Sequence, residues 1–270
     1  MSKIAKITII LGLCLICAGL IISGGNIRNL ILPFQEESGN VETYRTTQLP
    51  TTINIDNHND NIKILPTEED VITITYYEAA NYEYKITNLN GILSFTTKRK
   101  SFFPIINFSF KVPDMVIEIP RELEIRYDVE TTNGNILMKN LNSKYLNLDT
   151  TNGNIEINKI TADGIKLEST NGDIKIYNAI SPSINGETTN GSVKFDNIRS
   201  NSIEFSNTNG GIKGTLFGSA HNYWMDLKTT NGKIKINGEE FGNRKKDTSI
   251  KGNQIINAKT TNGSISIDFK

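Results

Sequence analysis

Asp149, Glu168 and Glu187 recur at 19-residue intervals. Three carboxylates brought side by side could hold calcium through oxygen ligands. They could also raise one another's pKa and serve the acid and base steps of polysaccharide cleavage. The series breaks at Ser206, one interval further on. His58 and His221 are the two histidines, and neither has a metal-ligand companion at a useful spacing. The chain has no Gly-x-Ser-x-Gly elbow, no His-Glu-x-x-His pair and no phosphate-binding glycine loop. Trp224 follows Tyr223, and this pair could stack on a sugar or simply pack over the strands. Asn107-Phe108-Ser109 and Asn262-Gly263-Ser264 match a glycosylation sequon that is frequent by chance. The expectation is a protein that is not an enzyme and uses no cofactor and no metal.

Whatever these side chains do, a repeat must position them. Thr-Thr-Asn-Gly, or a close variant, recurs with Asn133-Gly134, Asn152-Gly153, Asn171-Gly172, Asn190-Gly191 and Asn209-Gly210, each 19 residues after the last. Asn231-Gly232 and Asn262-Gly263 follow after gaps of 22 and 31, which suggest inserted loops. Within a unit the apolar positions are fixed. Two follow the glycine in alternation, as in Ile155 and Ile157 or Ile174 and Ile176. One lies mid-unit, at Leu141, Ile160, Ala179 and Ile198. Two more alternate before the next threonine, as in Leu146 and Leu148 or Ile165 and Leu167. Alternation is a strand signal, so each unit reads as strand, corner, strand, corner. Glycine, and less readily asparagine, offers the positive φ of a sharp corner at Asn-Gly.

A meander of hairpins and a solenoid of stacked coils both fit. A meander would leave one apolar sheet face uncovered and the mid-unit residue in solvent. A solenoid buries both. The expected fold is therefore all-β: a β-solenoid (β-helix) of 19-residue coils, right-handed by the general crossover preference. Stacking at about 4.8 Å would align the asparagines in one ladder and Thr132, Thr151, Thr170, Thr189 and Thr208 in another. Outward positions mix signs, with Glu156 beside Lys175, then Lys194 and Lys213.

Composition agrees. The 270 residues include 41 Ile, 34 Asn and 27 Thr against 8 Ala, a bias away from helix and towards strand and turn. The 29 basic and 29 acidic residues cancel, so nothing draws the protein to nucleic acid.

Residues 7–27 carry no charge and are rich in Ile and Leu, enough for a spanning helix. Lys3 and Lys6 before this run place residues 1–6 in the cytoplasm and the remainder outside. Both cysteines, Cys14 and Cys17, fall inside the span, so the exported part has no disulfide and no thiol chemistry. Residues 28–50 read as a stalk and 51–130 as an irregular β cap or first coils. Residues 131–270 form the regular repeat. Ser101-Phe102-Phe103-Pro104-Ile105-Ile106 is apolar for a loop and is expected to pack into the cap.

Val116-Ile117-Glu118-Ile119-Pro120, the strand from Leu123 to Val129 leading into Thr-Thr-Asn-Gly, and the Asn-Gly-x-Ile units together resemble a bacterial family. This is the β-strand-repeat "putative adhesin" family, a domain of unknown function, and the resemblance covers roughly residues 50 to 270. It implies adhesion or envelope binding, with a cell-envelope polymer or a surface protein as partner. Proximity of relatives to envelope-stress regulators implies an accessory signalling role as the alternative. A self-assembling scaffold is a third reading. The expected location is the cell membrane, with a single pass and the C-terminal part extracytoplasmic.

Overall fold

Alternating Ile and Leu positions point to one side of each strand, and the chain arranges its strands so that these sides meet. The computed structural model describes residues 39–79, 82–100, 113–247 and 253–270. The expected membrane anchor (7–27) and the apolar segment 101–106 lie outside the described residues. Among the described residues no helix is long and apolar enough to cross a membrane. Gly39–Lys270 form one compact unit, all-β, and only this unit is described below.

The regular part consists of β8 (Ile125–Thr131), β9 (Ile136–Thr150), β10 (Ile155–Ala162), β11 (Ile165–Ser169), β12 (Ile174–Ile180), β13 (Ser183–Thr188), β14 (Val193–Ile198), β15 (Ser202–Asn207) and β16 (Ile212–Leu216). Strands one repeat apart lie side by side and parallel. Ile155 pairs with Ile136 on one side and Ile174 on the other. Leu167 pairs with Leu148 and Gly186. A meander would pair neighbours antiparallel, so the observed register excludes it. Two parallel ladders result, and the 15-residue β9 bends from the first into the second. The stack is solenoid-like. The predicted column Glu156, Lys175, Lys194, Lys213 runs outward in register.

The core lies between the ladders and is built from the predicted inward positions. Ile155, Ile157, Ile174, Ile176, Leu146, Leu148 and Leu167 are all fully buried. The mid-unit Leu141, Ile160, Ala179 and Ile198 are buried too. Gly186 occupies an inward slot that is Leu in the two preceding coils. The ring of Phe205 fills the space, 3.1 Å from where a Cβ would stand, and packs against Phe195 at 5.0 Å between centroids.

Both ends depart from chain order. β2 (Thr52–Asn57) and β3 (Ile62–Thr67) form a full coil that stacks directly on β8 and β9. The outer coil at that end comes from later in the chain, as β6 (Ile92–Arg99) and β7 (Met115–Pro120). Within residues 51–130, expected as an irregular β cap or first coils, β2 with β3 and β6 with β7 thus make two coils of the stack. Antiparallel strands then close the end: β5 (Tyr82–Leu89) on β6, β4 (Ile72–Ala79) on β7, and β1 (Gly39–Thr46) on β4. β1 lies within the stretch expected as a stalk, yet all eight of its residues pair with β4.

The far end repeats the device. β21 (Gln254–Thr260) and β22 (Ile265–Phe269) sit on β15 and β16. The outermost coil is the earlier β17 (Tyr223–Thr229) and β18 (Ile234–Ile236). Short antiparallel strands, β19 (Glu239–Glu240) and β20 (Arg244–Lys246), cover its edges. The Gly263 unit therefore lies between those of Gly210 and Gly232. The long gaps are a crossover that exchanges the last two coils, beyond mere loop insertion. Closing both ends with sequence-internal coils and antiparallel edges blunts the exposed strand edges of an open stack.

Candidate functional site

The Thr-Thr-Asn-Gly corner is the most regular polar feature of the surface, and its chemistry begins with the first threonine. Thr131, Thr150, Ser169, Thr188, Asn207, Thr229 and Thr260 hold this place and are buried. Thr150 Oγ1 accepts from the Gly153 amide at 3.1 Å and donates to the Gly134 carbonyl of the neighbouring coil at 2.9 Å. Ser169 does the same with Gly172 and Gly153, both at 2.9 Å. In these two coils the hydroxyl satisfies one buried donor and one buried acceptor, and Thr188, Thr229 and Thr260 make the bond to the neighbouring glycine carbonyl.

The glycines serve a purpose other than the expected one. None of the seven repeat glycines has a positive φ. A Cβ on Gly172 would stand 1.8 Å from the Gly153 carbonyl oxygen, and on Gly191 1.9 Å from that of Gly172. Close approach between coils, and no left-handed turn, excludes a side chain here. The positive φ appears at the opposite corner, at Asn140, Lys159, Asn178 and Asn197, with values of 52–56°. Among the described residues only the hairpin pairs Asn90-Gly91 and Asn237-Gly238 combine Asn-Gly with positive φ at both residues.

The second threonine and the asparagine face outward. Asn152 Nδ2 donates to Asn133 Oδ1 at 2.7 Å, Asn171 to Asn152 at 2.8 Å, Asn190 to Asn171 at 2.8 Å and Asn209 to Asn190 at 2.9 Å. Asn262 then donates to Asn209 and Asn231 to Asn262, both at 2.7 Å. At the other end Asn133 donates to Asn59 at 2.7 Å, and Asn59 to Tyr82 Oη at 2.6 Å. Eight asparagines among the described residues thus form one unbroken ladder. Asn59 was not legible from the glycine count, because Asp60 stands where the Thr-Thr-Asn-Gly units have glycine. Its signal is Asn59-Asp60-Asn61-Ile62 against Asn133-Gly134-Asn135-Ile136. A second ladder follows the glycine. Asn135 binds Asn61 Oδ1, Asn154 binds Asn135 Oδ1, and the amides of Asp173 and Ser192 continue it. Burial would raise the Asp173 carboxyl, but bonds from Lys194 and the Ser192 amide outweigh it and hold the group below the usual carboxylate range.

The acidic column is in register, as its spacing predicts, and is longer than predicted. Asp56, Glu130, Asp149, Glu168 and Glu187 occupy adjacent strands. Beyond Ser206 the column turns basic, with Lys259, Lys228 and Arg244. Partial burial, then the charges of Glu168 and Glu130, push the Asp149 carboxyl up. Lys166 bonds Glu168 at 2.7 Å. Among the described residues no three His, Cys, Asp or Glu side chains are grouped to hold a metal. The remaining candidates are dispersed. His58 contacts Thr132 Oγ1 at 3.3 Å, and His221 lies on the Ala220–Asn222 turn beside Ser219. Tyr223 is buried, and the Trp224 indole donates to the Asp247 carbonyl at 3.0 Å. Successive residues of β17 point to opposite faces, so the Tyr223 ring lies in the core, the Trp224 ring lies outside it, and the two do not form one platform.

The chain is similar to several solved structures. A putative adhesin from Bacteroides fragilis is 14% identical, with 87% of this chain and 99% of that one covered and a TM-score of 0.44. A putative cell adhesion protein from Clostridium sporogenes is 12% identical, covering 86% and 100%, with a TM-score of 0.36. A putative adhesin from Parabacteroides distasonis is 11% identical, covering 87% and 98%, with a TM-score of 0.37. No curated protein matches the chain. The family model described as Toastrack DUF4097 matches residues 51–270, the whole stack apart from β1, and the chain belongs to that family.

Proposed function

We propose that the protein is a membrane-anchored, extracytoplasmic scaffold of the adhesin kind, without enzymatic activity. Its right-handed β-solenoid would present a fixed polar surface to a cell-envelope polymer or a surface protein. The observation that carries this reading is the unbroken asparagine ladder on the exposed edge. Each amide has two N–H donors and two acceptor lone pairs, and the ladder engages one of each. One donor and one acceptor per coil remain for a partner, repeated at about 4.8 Å. A polymer with regularly repeated hydroxyl or amide groups suits such a surface, since many weak contacts then act together. The apolar run at 7–27 supports the anchor.

A photoreactive side chain at Thr170, beside the ladder, tests the reading in intact cells. Covalent capture of an envelope glycan or a surface protein is the expected result. Capture of a membrane sensor kinase alone would replace adhesion by signalling. Digestion of the folded unit by protease added to sealed spheroplasts tests its location, and full protection there would overturn the extracytoplasmic placement.

A further inference from the structure

The column that runs acidic and then basic has a centre. It passes from Asp149, Glu168 and Glu187 through Ser206 to Lys259, Lys228 and Arg244. Counted outward from Ser206, each acid at a given step faces a base at the same step on the other side. The column two residues earlier on the same face behaves alike about Glu204. Lys166 and Asp226 lie two steps either side, and Asn185 and Asn257 one step. Among the described residues Asp149, Glu187, Lys259 and Lys228 make no ion pair within the chain. Glu168 is held by Lys166, and Arg244 by Asp226 at 2.7 Å.

We propose that this face docks on the same face of a second copy, about a twofold axis that runs along the strands at Ser206. That operation reverses the stack and keeps each column on itself. Glu187 then meets the other copy's Lys259, Glu168 meets Lys228, and Asp149 meets Arg244. In the neighbouring column Lys166 meets Asp226. The two Glu204 side chains approach at the axis, the one like-charge contact in the set. Every cross-pair occurs twice, as an isologous interface requires. Seven overlapping strands at about 4.8 Å, each contributing about five residues at about 3.3 Å, give roughly 550 Å² a side. This is somewhat below the roughly 800 Å² a side of a standard interface, so the contact is weak and depends on salt.

Reversal also separates the two entry points. β1 lies on the closed end next to β4, at the Asp56 side of the stack. In the pair, the two β1 strands lie at opposite ends. If the anchor proposed above holds, this suits copies displayed on two facing surfaces. The docking itself does not depend on that reading.

The test uses the full chain in detergent, with Cys14→Ser and Cys17→Ser, and Ser206→Cys as the sole thiol. A short bismaleimide should link two copies at low salt, and 0.5 M NaCl should reduce the yield at least severalfold. Glu187→Lys alone and Lys259→Glu alone should each abolish linking, and the double substitution should restore it. A thiol at Thr161, on the other ladder, should give no linked pair. Absence of linked dimer at low salt, linking indifferent to salt and charge reversal, or failure of the double substitution to rescue would each overturn the proposal. So would linkage of Ser206→Cys in cells only to a cationic envelope protein, with no pair of copies formed.

Discussion

Thr150 Oγ1 sits between two glycines of different coils, donating to the Gly134 carbonyl at 2.9 Å and accepting from the Gly153 amide at 3.1 Å. Thr150 is fully buried, so no water replaces its hydroxyl. Thr150→Val keeps the shape and orphans both backbone groups. Each buried unsatisfied group costs about 1–3 kcal/mol, so the loss should be about 2–4 kcal/mol in urea or thermal unfolding. Thr150→Ser should recover most of it, because Ser169 already performs the task in the next coil. Equal loss in both variants would place the effect in methyl packing instead.

Two glycines separate the two reasons for lacking a side chain. Gly172 has an ordinary φ, but its Cβ would overlap the Gly153 oxygen at 1.8 Å. Gly238 has φ +80° and nothing within 4 Å of its Cβ position. Gly238→Ala should cost about 1–2 kcal/mol, the left-handed penalty. Gly172→Ala must push two coils apart and should cost at least about 3 kcal/mol, beyond usual overpacking. Unfolding midpoints of the two variants decide it, and the reverse order would contradict the close-approach explanation.

The contrast shows what was legible beforehand and why. Position in the repeat gave the two strand ladders, the asparagine ladder, the inward residues and the columns, because stacking turns a constant sequence interval into spatial adjacency. Ile155 beside Ile174 follows from the number 19 alone. The role of Gly172 did not follow, since positive φ and close approach both select glycine. Asn59 was missed because Asp60, and no glycine, follows it, although the Asp60 carbonyl stands against Gly134 as the Gly134 carbonyl stands against Gly153. The placement of Asn262 between Asn209 and Asn231 was missed for a different reason. The two last units carry the same corner, and only tertiary pairing decides which stacks first. The charge symmetry about Ser206 depends on that exchange, so a reading in chain order could not show it.

Asp149 gives the stack a pH dependence of definite sign. Its carboxyl is raised above the ordinary 3.8 by partial burial and by Glu168 and Glu130. The folded state therefore holds this proton more tightly than the unfolded chain. Ionisation of Asp149 opposes folding at neutral pH, and the opposition fades as pH falls through the raised value. Asp149→Asn should stabilise the protein at pH 7, by under about 1 kcal/mol for a group still half open to solvent. At pH 3, where both states are protonated, the variant and the parent should melt together. Stabilisation that persists at pH 3 would assign the effect to hydrogen bonding by the new amide.

Asparagine followed by glycine is chemically fragile, because the glycine amide nitrogen can attack the asparagine Cγ and expel ammonia. Attack needs a free nitrogen and a side chain able to swing over its own backbone. At Asn171-Gly172 neither condition holds. The Gly172 amide is bonded to Ser169 Oγ at 2.9 Å, and the Asn171 amide is tied to Asn152 and Asn190. Asn90-Gly91 is an exposed hairpin tip, outside either ladder, with both residues at positive φ. Prolonged incubation at pH 8 and 37 °C followed by peptide mapping should therefore show deamidation at Asn90 well before Asn152, Asn171 or Asn190. Ser169→Ala frees the Gly172 amide and should raise deamidation at Asn171 selectively, in a fold otherwise held by its neighbours. Uniform deamidation across the repeat in the parent chain would mean that the ladder does not persist in solution, and with it would go the fixed polar edge on which the proposed function rests.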